Sequence, residues 1–181
     1  WVVTLHYHEW APALASERPE LLERLLQDWI RSCAPERAGA LPLAWNPYAI
    51  ATRIPNWIRA WQRAAIGAAF RSEFLRSLWR QAAFLAANLE WDLRANHLLR
   101  DAVGLAWAGR FFGHAAWQRT ACELAGSQAQ EQLLPDGLHF ELSPMYHDHA
   151  LRDFEQLAVL LPEVSELPAA LRRMRAAAQW L

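Results

Sequence analysis

The chain contains no lysine. Every one of its 18 Lys+Arg positions is an arginine, which excludes a Schiff-base lysine and the lysine of a phosphate-binding P-loop. No Gly-rich phosphate loop occurs either. Charge of one sign is also lacking: the formal net charge is -1 over 181 residues, which argues against a nucleic-acid binder that works by neutralising phosphates. No apolar run approaches the roughly 18 residues that a membrane-crossing helix needs. A Gly-x-Ser-x-Gly nucleophile elbow is absent, so serine-hydrolase chemistry has little support. Only two cysteines are present, Cys33 and Cys122. They lie far apart in apolar helical surroundings and read as buried free thiols rather than a disulfide. Strand character is confined to Val2-Val3-Thr4-Leu5.

What is present is apolar and aromatic. Hydrophobic residues make up 54% of the chain, enough to build the core of one domain over residues 1–181 and too much for a disordered segment. Tryptophan occurs 11 times. Its large face packs between helices and also stacks on sugar rings, so each tryptophan is open to a core or a carbohydrate reading. The chain begins at Trp1 and stops at Leu181 inside a helical pattern, and both ends read as cut.

Apolar spacing predicts an all-α fold. A first amphipathic helix covers 19–33, with Ser16 as a cap and Leu21, Leu22, Leu25, Leu26, Trp29 and Ile30 on one stripe. Residues 34–51, with Pro35, Gly39, Pro42 and Pro47, read as a linker. Further helices are expected over 55–70 (with Ile58, Trp61, Ala65 and Ala69), 73–88, 93–112, 117–132, 147–161 and 169–181. The helix over 93–112 is apolar all round, which marks it as buried.

Three constellations could carry chemistry. In Asn96-His97-Leu98-Leu99-Arg100-Asp101, positions 97, 100 and 101 share a helix face, as a satisfied buried network or as a wall that binds an anion. Trp45-Asn46-Pro47-Tyr48 leads to Arg53-Ile54-Pro55-Asn56-Trp57. Here Pro55 near a helix start would put Arg53 and Asn56 at an anion-favouring N-terminus, or Arg53 would pin a loop through backbone carbonyls. The richest stretch is Asp136 to His147. Asp136-Gly137 is a turn signal, and Ser143-Pro144 reads as an N-cap with proline at the first helical position. Tyr146 and His147 then fall in the first helical turn. Metal binding by His147, Asp148 and His149 is disfavoured, because i and i+2 residues do not face each other on a helix. His6 and His8 would share a face on an extended segment. Glu141, Asp136 and Asp148 are candidate carboxylates for a hydrolase.

These segments together resemble the helical domain of heparinase II/III-like polysaccharide lyases, a group that includes oligoalginate lyases. The resemblance rests on the aromatic segment from Trp1 to Trp10, the Trp45–Trp57 stretch, Asn96-His97-Leu98-Leu99, and Asp136-Gly137 through Glu141-Leu142-Ser143-Pro144-Met145-Tyr146-His147. It implies an incomplete (α/α) toroid followed by an antiparallel β-sandwich domain that is not in this chain, and β-elimination on a uronic-acid polysaccharide. Asn96 and His97 resemble the pair that neutralises the uronate carboxylate. Tyr146 resembles the tyrosine that protonates the departing O4 and in some members also abstracts the C5 proton. Arg53, Asn56, Trp57, Arg100, Glu141, His147 and His149 are the corresponding substrate-binding candidates. No metal and no cofactor are expected in this part. The implied partners are an anionic polysaccharide or oligosaccharide and the chain's own β-sandwich domain, with no nucleic acid and no membrane span. The implied location is periplasmic or secreted, with the cytoplasm as the alternative. A non-catalytic carbohydrate-binding module and a toroid glycoside hydrolase stay open as other functions.

Overall fold

The computed structural model describes residues 2–64 and 66–180. Trp1, Ala65 and Leu181, expected in the aromatic N-terminal segment, on the second helix and at a helical end, lie outside the described residues. Among those described, the secondary structure is helical, with one isolated bridge between Leu133 and His139. No helix among them is long and apolar enough to cross a membrane. The chain divides into two compact units, Trp1–Asn88 and Leu89–Leu181.

Unit 1 begins with a 3-10 turn, Val3–His6, followed by α1 (Ala11–Glu17), α2 (Pro19–Ser32), α3 (Ala40–Leu43), α4 (Pro47–Arg63) and α5 (Ala68–Ala87). The strand expected at Val2–Leu5 is thus a tight helical turn, held in place by side chains of α4. In α2 the stripe is narrower than its leucines imply. Leu22, Leu26 and Trp29 are buried, while Leu25 is largely exposed. Ser16 lies inside α1, and Arg18 stands at the start of α2 instead. The largest correction concerns α4. It starts at Pro47, where the Asn46 side chain accepts the Ala49 N–H at 3.3 Å, so the Asn-Pro pair acts as cap and first residue. Pro55 sits inside this helix, and the single helix expected over 55–70 is divided. Ala64 and Gly67 are extended, and the Gly67 N–H is held by the Glu23 carboxylate.

Unit 2 consists of α6 (Ala95–Phe112), α7 (Ala115–Glu131), α8 (Pro144–Leu160), α9 (Glu166–Ala177) and a closing 3-10 turn, Ala178–Trp180. As its all-round apolarity predicts, α6 is the buried helix: Leu98, Leu99, Val103, Leu105 and Ala106 are in the core. It packs on both α7 and α8. Gly109 permits the close approach of α7, since a Cβ there would stand 2.8 Å from Cγ of Gln118. The Asp136-Gly137 turn forms as the dipeptide predicts. Asp136 Oδ1 accepts the Leu138 N–H at 3.0 Å. Gly137 has φ +91°, and a Cβ would lie 2.5 Å from the Arg173 carbonyl oxygen, so conformation and space both require glycine. The cysteines are free but only half-buried.

Candidate functional site

The start of α6 is strained and braced. Arg94 and Ala95 have φ of +54° and +48°, a region that costs energy for residues with a Cβ and persists only where neighbours enforce it. The brace comes from the end of α7: Gln132, fully buried, donates from Nε2 to the Ala95 carbonyl at 2.7 Å. Asn96 and His97 follow directly, both half-buried. Nδ1 of His97 lies 3.2 Å from Oε1 of Glu90. The hydrogen bond to Glu90 raises the His97 pKa, against the effect of burial, and the nearby Asp101 and Glu141 carboxylates act in the same direction.

The same Gln132 connects this helix start to a second one. His139 donates from Nε2 to Gln132 Oε1 at 2.9 Å, and the His139 backbone N–H donates to His147 Nδ1 at 3.2 Å. His147 in turn donates from Nε2 to the Met174 carbonyl of α9 at 3.1 Å. Nδ1 of His139 accepts the Glu141 N–H at 3.4 Å. A continuous buried network therefore runs from Ala95, one residue before Asn96, to His147, one residue after Tyr146. Burial, then the His147 ring, lowers the pKa of His139 to about 4, so it is a neutral link at pH 7.

Tyr146 occupies the first turn of α8, half-buried, with its ring 6.4 Å from that of the exposed His149 in an edge-on arrangement. Ser143 precedes the helix, but its hydroxyl makes no capping bond. Glu141 is half-buried and near enough to His97 to affect its charge. His147 is corrected from substrate contact to internal bracing: it is 3% exposed, and both its ring nitrogens are engaged with backbone groups. Arg100 and Asp101, adjacent on α6, take separate partners. Arg100 pairs with Asp153 of α8 at 2.9 Å, and Asp101 accepts the Glu90 backbone N–H at 2.8 Å. Burial raises the Asp101 carboxyl to about 8. It also raises Asp153 to about 7, against the Arg100 guanidinium.

The polar residues of unit 1 serve its interior. Arg53 is not at a helix start but in the middle of α4, fully buried. It donates from Nε to Gln81 Oε1 at 2.7 Å and from Nη1 to the His6 carbonyl at 2.8 Å. Its guanidinium lies 4.2 Å over the Trp29 ring, and burial brings its pKa down to about 9. Asn56 donates to the Tyr7 and Thr52 carbonyls at 3.0 and 3.1 Å. Trp57 has no exposed surface, and its indole N–H donates to His8 Nδ1 at 2.9 Å. For Arg53, Asn56 and Trp57 the carbonyl-pinning and core readings replace the substrate-binding one, because these groups fasten the N-terminal turn to α4. His6 and His8 do not share an extended face, and each accepts an indole N–H, from Trp29 and Trp57 respectively. Among the described residues no group of three or more His, Cys, Asp or Glu side chains could hold a metal ion.

Sequence reasoning missed Glu90, Gln132 and the role of His139. The signal for His139 lay within the Asp136–His147 stretch. Glu90, in the connection between α5 and α6, and Gln132, at the end of α7, carry no pattern that marks them as buried.

Comparison with known proteins places the chain in a family and a fold. The family model described as Heparinase II/III N-terminus matches residues 20–174. A heparin-sulfate lyase of Bacteroides thetaiotaomicron is 27% identical over 183 residues, covering 92% of this chain and 26% of that protein. A heparin-sulfate lyase of Pedobacter heparinus is 30% identical over 118 residues, covering 61% of this chain and 18% of that protein. The chain therefore spans about a quarter or less of the curated relatives it matches. Among solved structures, a crystal structure of Heparinase III superposes with a TM-score of 0.87 at 22% identity, over 99% of this chain and 31% of that one. The heparan sulfate lyase HepC from Pedobacter heparinus gives 0.77 at 23% identity, over 98% and 31%. The likeness bears out the expected fold class, all-α of the (α/α) toroid kind.

Proposed function

The chain belongs to the heparinase II/III family, matching its N-terminal domain, and from that premise we propose that it is the helical part of a lyase that cleaves a uronic-acid polysaccharide by β-elimination. In that reaction the C5 proton of the uronate is removed, the C4–O4 bond breaks, a C4=C5 double bond forms, and the departing O4 takes a proton. The C5 proton is too weakly acidic while the neighbouring carboxylate keeps its full charge. Asn96 and His97 hydrogen-bond that carboxylate and stabilise the charge that develops. Tyr146 delivers the proton to O4, a role suited to a phenol, whose reference pKa is near 10.

The observation that carries this reading is the buried network from Ala95 through Gln132 and His139 to His147. It supports a fixed distance between the Asn96-His97 helix start and the Tyr146 helix start, as a reaction with two polar partners needs. Glu141 and His149 are the binding candidates that remain near these helix starts, with Arg100 positioned through Asp153. A following β-sandwich domain supplies the remaining catalytic base. Because the named relatives are heparin-sulfate lyases, that class of chain is the first substrate to test, ahead of hyaluronan-like chains and alginate. The same family resemblance favours export to the periplasm or the medium.

The test uses the full-length protein and a panel of uronans. Appearance of an unsaturated sugar absorbing in the near ultraviolet supports the reading, and Tyr146→Phe is expected to abolish it. Reducing ends without that absorbance would point to hydrolysis, and binding without product to a carbohydrate-binding module.

A further inference from the structure

Glu90 is a carboxylate in an unusual place. It lies in the turn before α6, is 5% exposed, and one of its oxygens, Oε2, is buried without a hydrogen-bond partner. Asp101, fully buried, has the same deficiency at Oδ1. Burying a carboxylate whose oxygens are incompletely satisfied is costly, so a nearby positive charge is the compensation to look for. The partner that faces Glu90 is His97, at 3.2 Å through Nδ1.

The three residues form a hierarchy. Asp101 is one helical turn beyond His97 on the same face of α6. Its Oδ2 takes the Glu90 backbone N–H at 2.8 Å and so fastens the turn to the helix. Glu90, seated in this way, presents Oε1 to His97 Nδ1. An acceptor at Nδ1 fixes a proton on that nitrogen and orients the ring, and a carboxylate acceptor also favours the doubly protonated form.

We propose that Glu90, anchored by Asp101, is a positioning residue that fixes the orientation and tautomer of His97 and holds it as a cation for an anionic substrate group. The inference rests on the lyase reading for its catalytic consequence, but the coupling of Glu90 to His97 is separate from it. Three carboxyl groups face His97: Glu90 from the turn before α6, Asp101 from α6 itself, and Glu141 from the loop before α8. All three act to raise its pKa. Of the three, Glu90 is the one hydrogen-bonded to the ring, at Nδ1, so it orients the ring, while Asp101 and Glu141 act through their field where they are ionised.

The experiment compares the full-length protein with its Glu90→Gln variant, which keeps the shape and an acceptor while removing the charge. His97 is followed by NMR titration of histidine-labelled protein and assigned through His97→Gln. The His97 midpoint is expected to fall in Glu90→Gln. On the panel substrates, kcat/KM is expected to fall roughly tenfold to a hundredfold at pH 8, as for loss of a hydrogen bond to a charged group, and less at pH 6. A merely structural role would lower activity equally at both pH values and leave the midpoint in place, which would overturn the proposal. Asp101→Asn, which keeps an acceptor for the Glu90 N–H, provides a second variant; because burial holds the Asp101 carboxyl protonated up to about 8, it is expected to leave the midpoint close to that of the parent, and a fall as large as that of Glu90→Gln would overturn the assignment to Glu90. An unchanged midpoint in Glu90→Gln overturns the proposal whatever the activity. A lowered midpoint in a protein that makes no unsaturated product overturns the lyase reading and leaves the coupling standing.

Discussion

The two units bury polar side chains in different ways. In unit 1 a guanidinium, two imidazoles and two indoles are packed together, and their bonds end within the core: Arg53 on Gln81 and His6, Trp57 on His8, Trp29 on His6. In unit 2 the buried groups are carboxylates, amides and imidazoles, and their bonds lead outward to half-buried residues at two helix starts, His97 through Glu90 and the residues flanking Asn96 and Tyr146 through Gln132 and His139. The first arrangement fastens an N-terminal turn to a helix. The second holds two helix starts in place while leaving Asn96, His97 and Tyr146 half-exposed. Burial of a polar residue alone does not separate the two; where its chain of bonds terminates does.

This contrast can be broken most severely at Trp57. Trp57→Ala removes the ring stacked between His8 and Phe74 and is expected to cost about 3–5 kcal/mol, read as a fall in the urea midpoint. Gln132→Ala removes the second donor from the Ala95 carbonyl and leaves the His139 ring donor unpaired, and is expected to cost about 1–3 kcal/mol. Here turnover on uronans should fall by more than the stability loss alone explains, as Asn96 and Tyr146 lose their common brace. A loss of stability with turnover intact would place Gln132 in the same class as the unit 1 residues.

Burial shifts imidazoles and carboxyls in opposite directions. His8 and His139 are held below the ordinary histidine value, to about 2 and about 4, chiefly by burial. Their contribution to stability is therefore fully present above the unfolded value near 6.5 and is lost as pH falls from there towards those values. Asp101 is raised to about 8, so its contribution is fully present below about 3.8 and is lost as pH rises through 8. Asp101→Asn is thus expected to match the parent near pH 4 and to exceed it in urea midpoint at pH 8. No gain at pH 8 would mean that the ionised carboxylate is accommodated by His97. The smallest effect is expected at the cap of α4, where Asn46→Ala should lower stability by about 1 kcal/mol, with no change in the pH dependence of His97.

Much of the fold was legible because it is periodic or punctuated. The buried α6, the Asp136-Gly137 turn and the proline at the start of α8 follow from local rules that the neighbouring chain does not alter. Pro55 shows where such rules stop. Proline usually marks a helix start, yet α4 runs through it, because Asn46-Pro47 supplies the better cap and the α4 side chains Arg53, Asn56 and Trp57 are all bonded to the N-terminal turn. The supports of the candidate helix starts were illegible: Gln132 acquires its role from Ala95, 37 residues away, and Glu90, though only 7 and 11 residues from His97 and Asp101, lies in a loop whose spacing gives no sign of burial.

By itself the sequence determined the helical class, the glycine at 137 and the stretches that bear the family likeness, all consequences of local sterics and apolar spacing. Tertiary structure alone decided which polar residues face inward. Arg53, Trp57 and His147 resemble ligand-binding residues in composition and became braces, while Glu90 became the partner of His97. The reason is physical: the energy of a buried charge depends on which atoms lie within about 3 Å of it, and that neighbourhood is set by packing between distant segments.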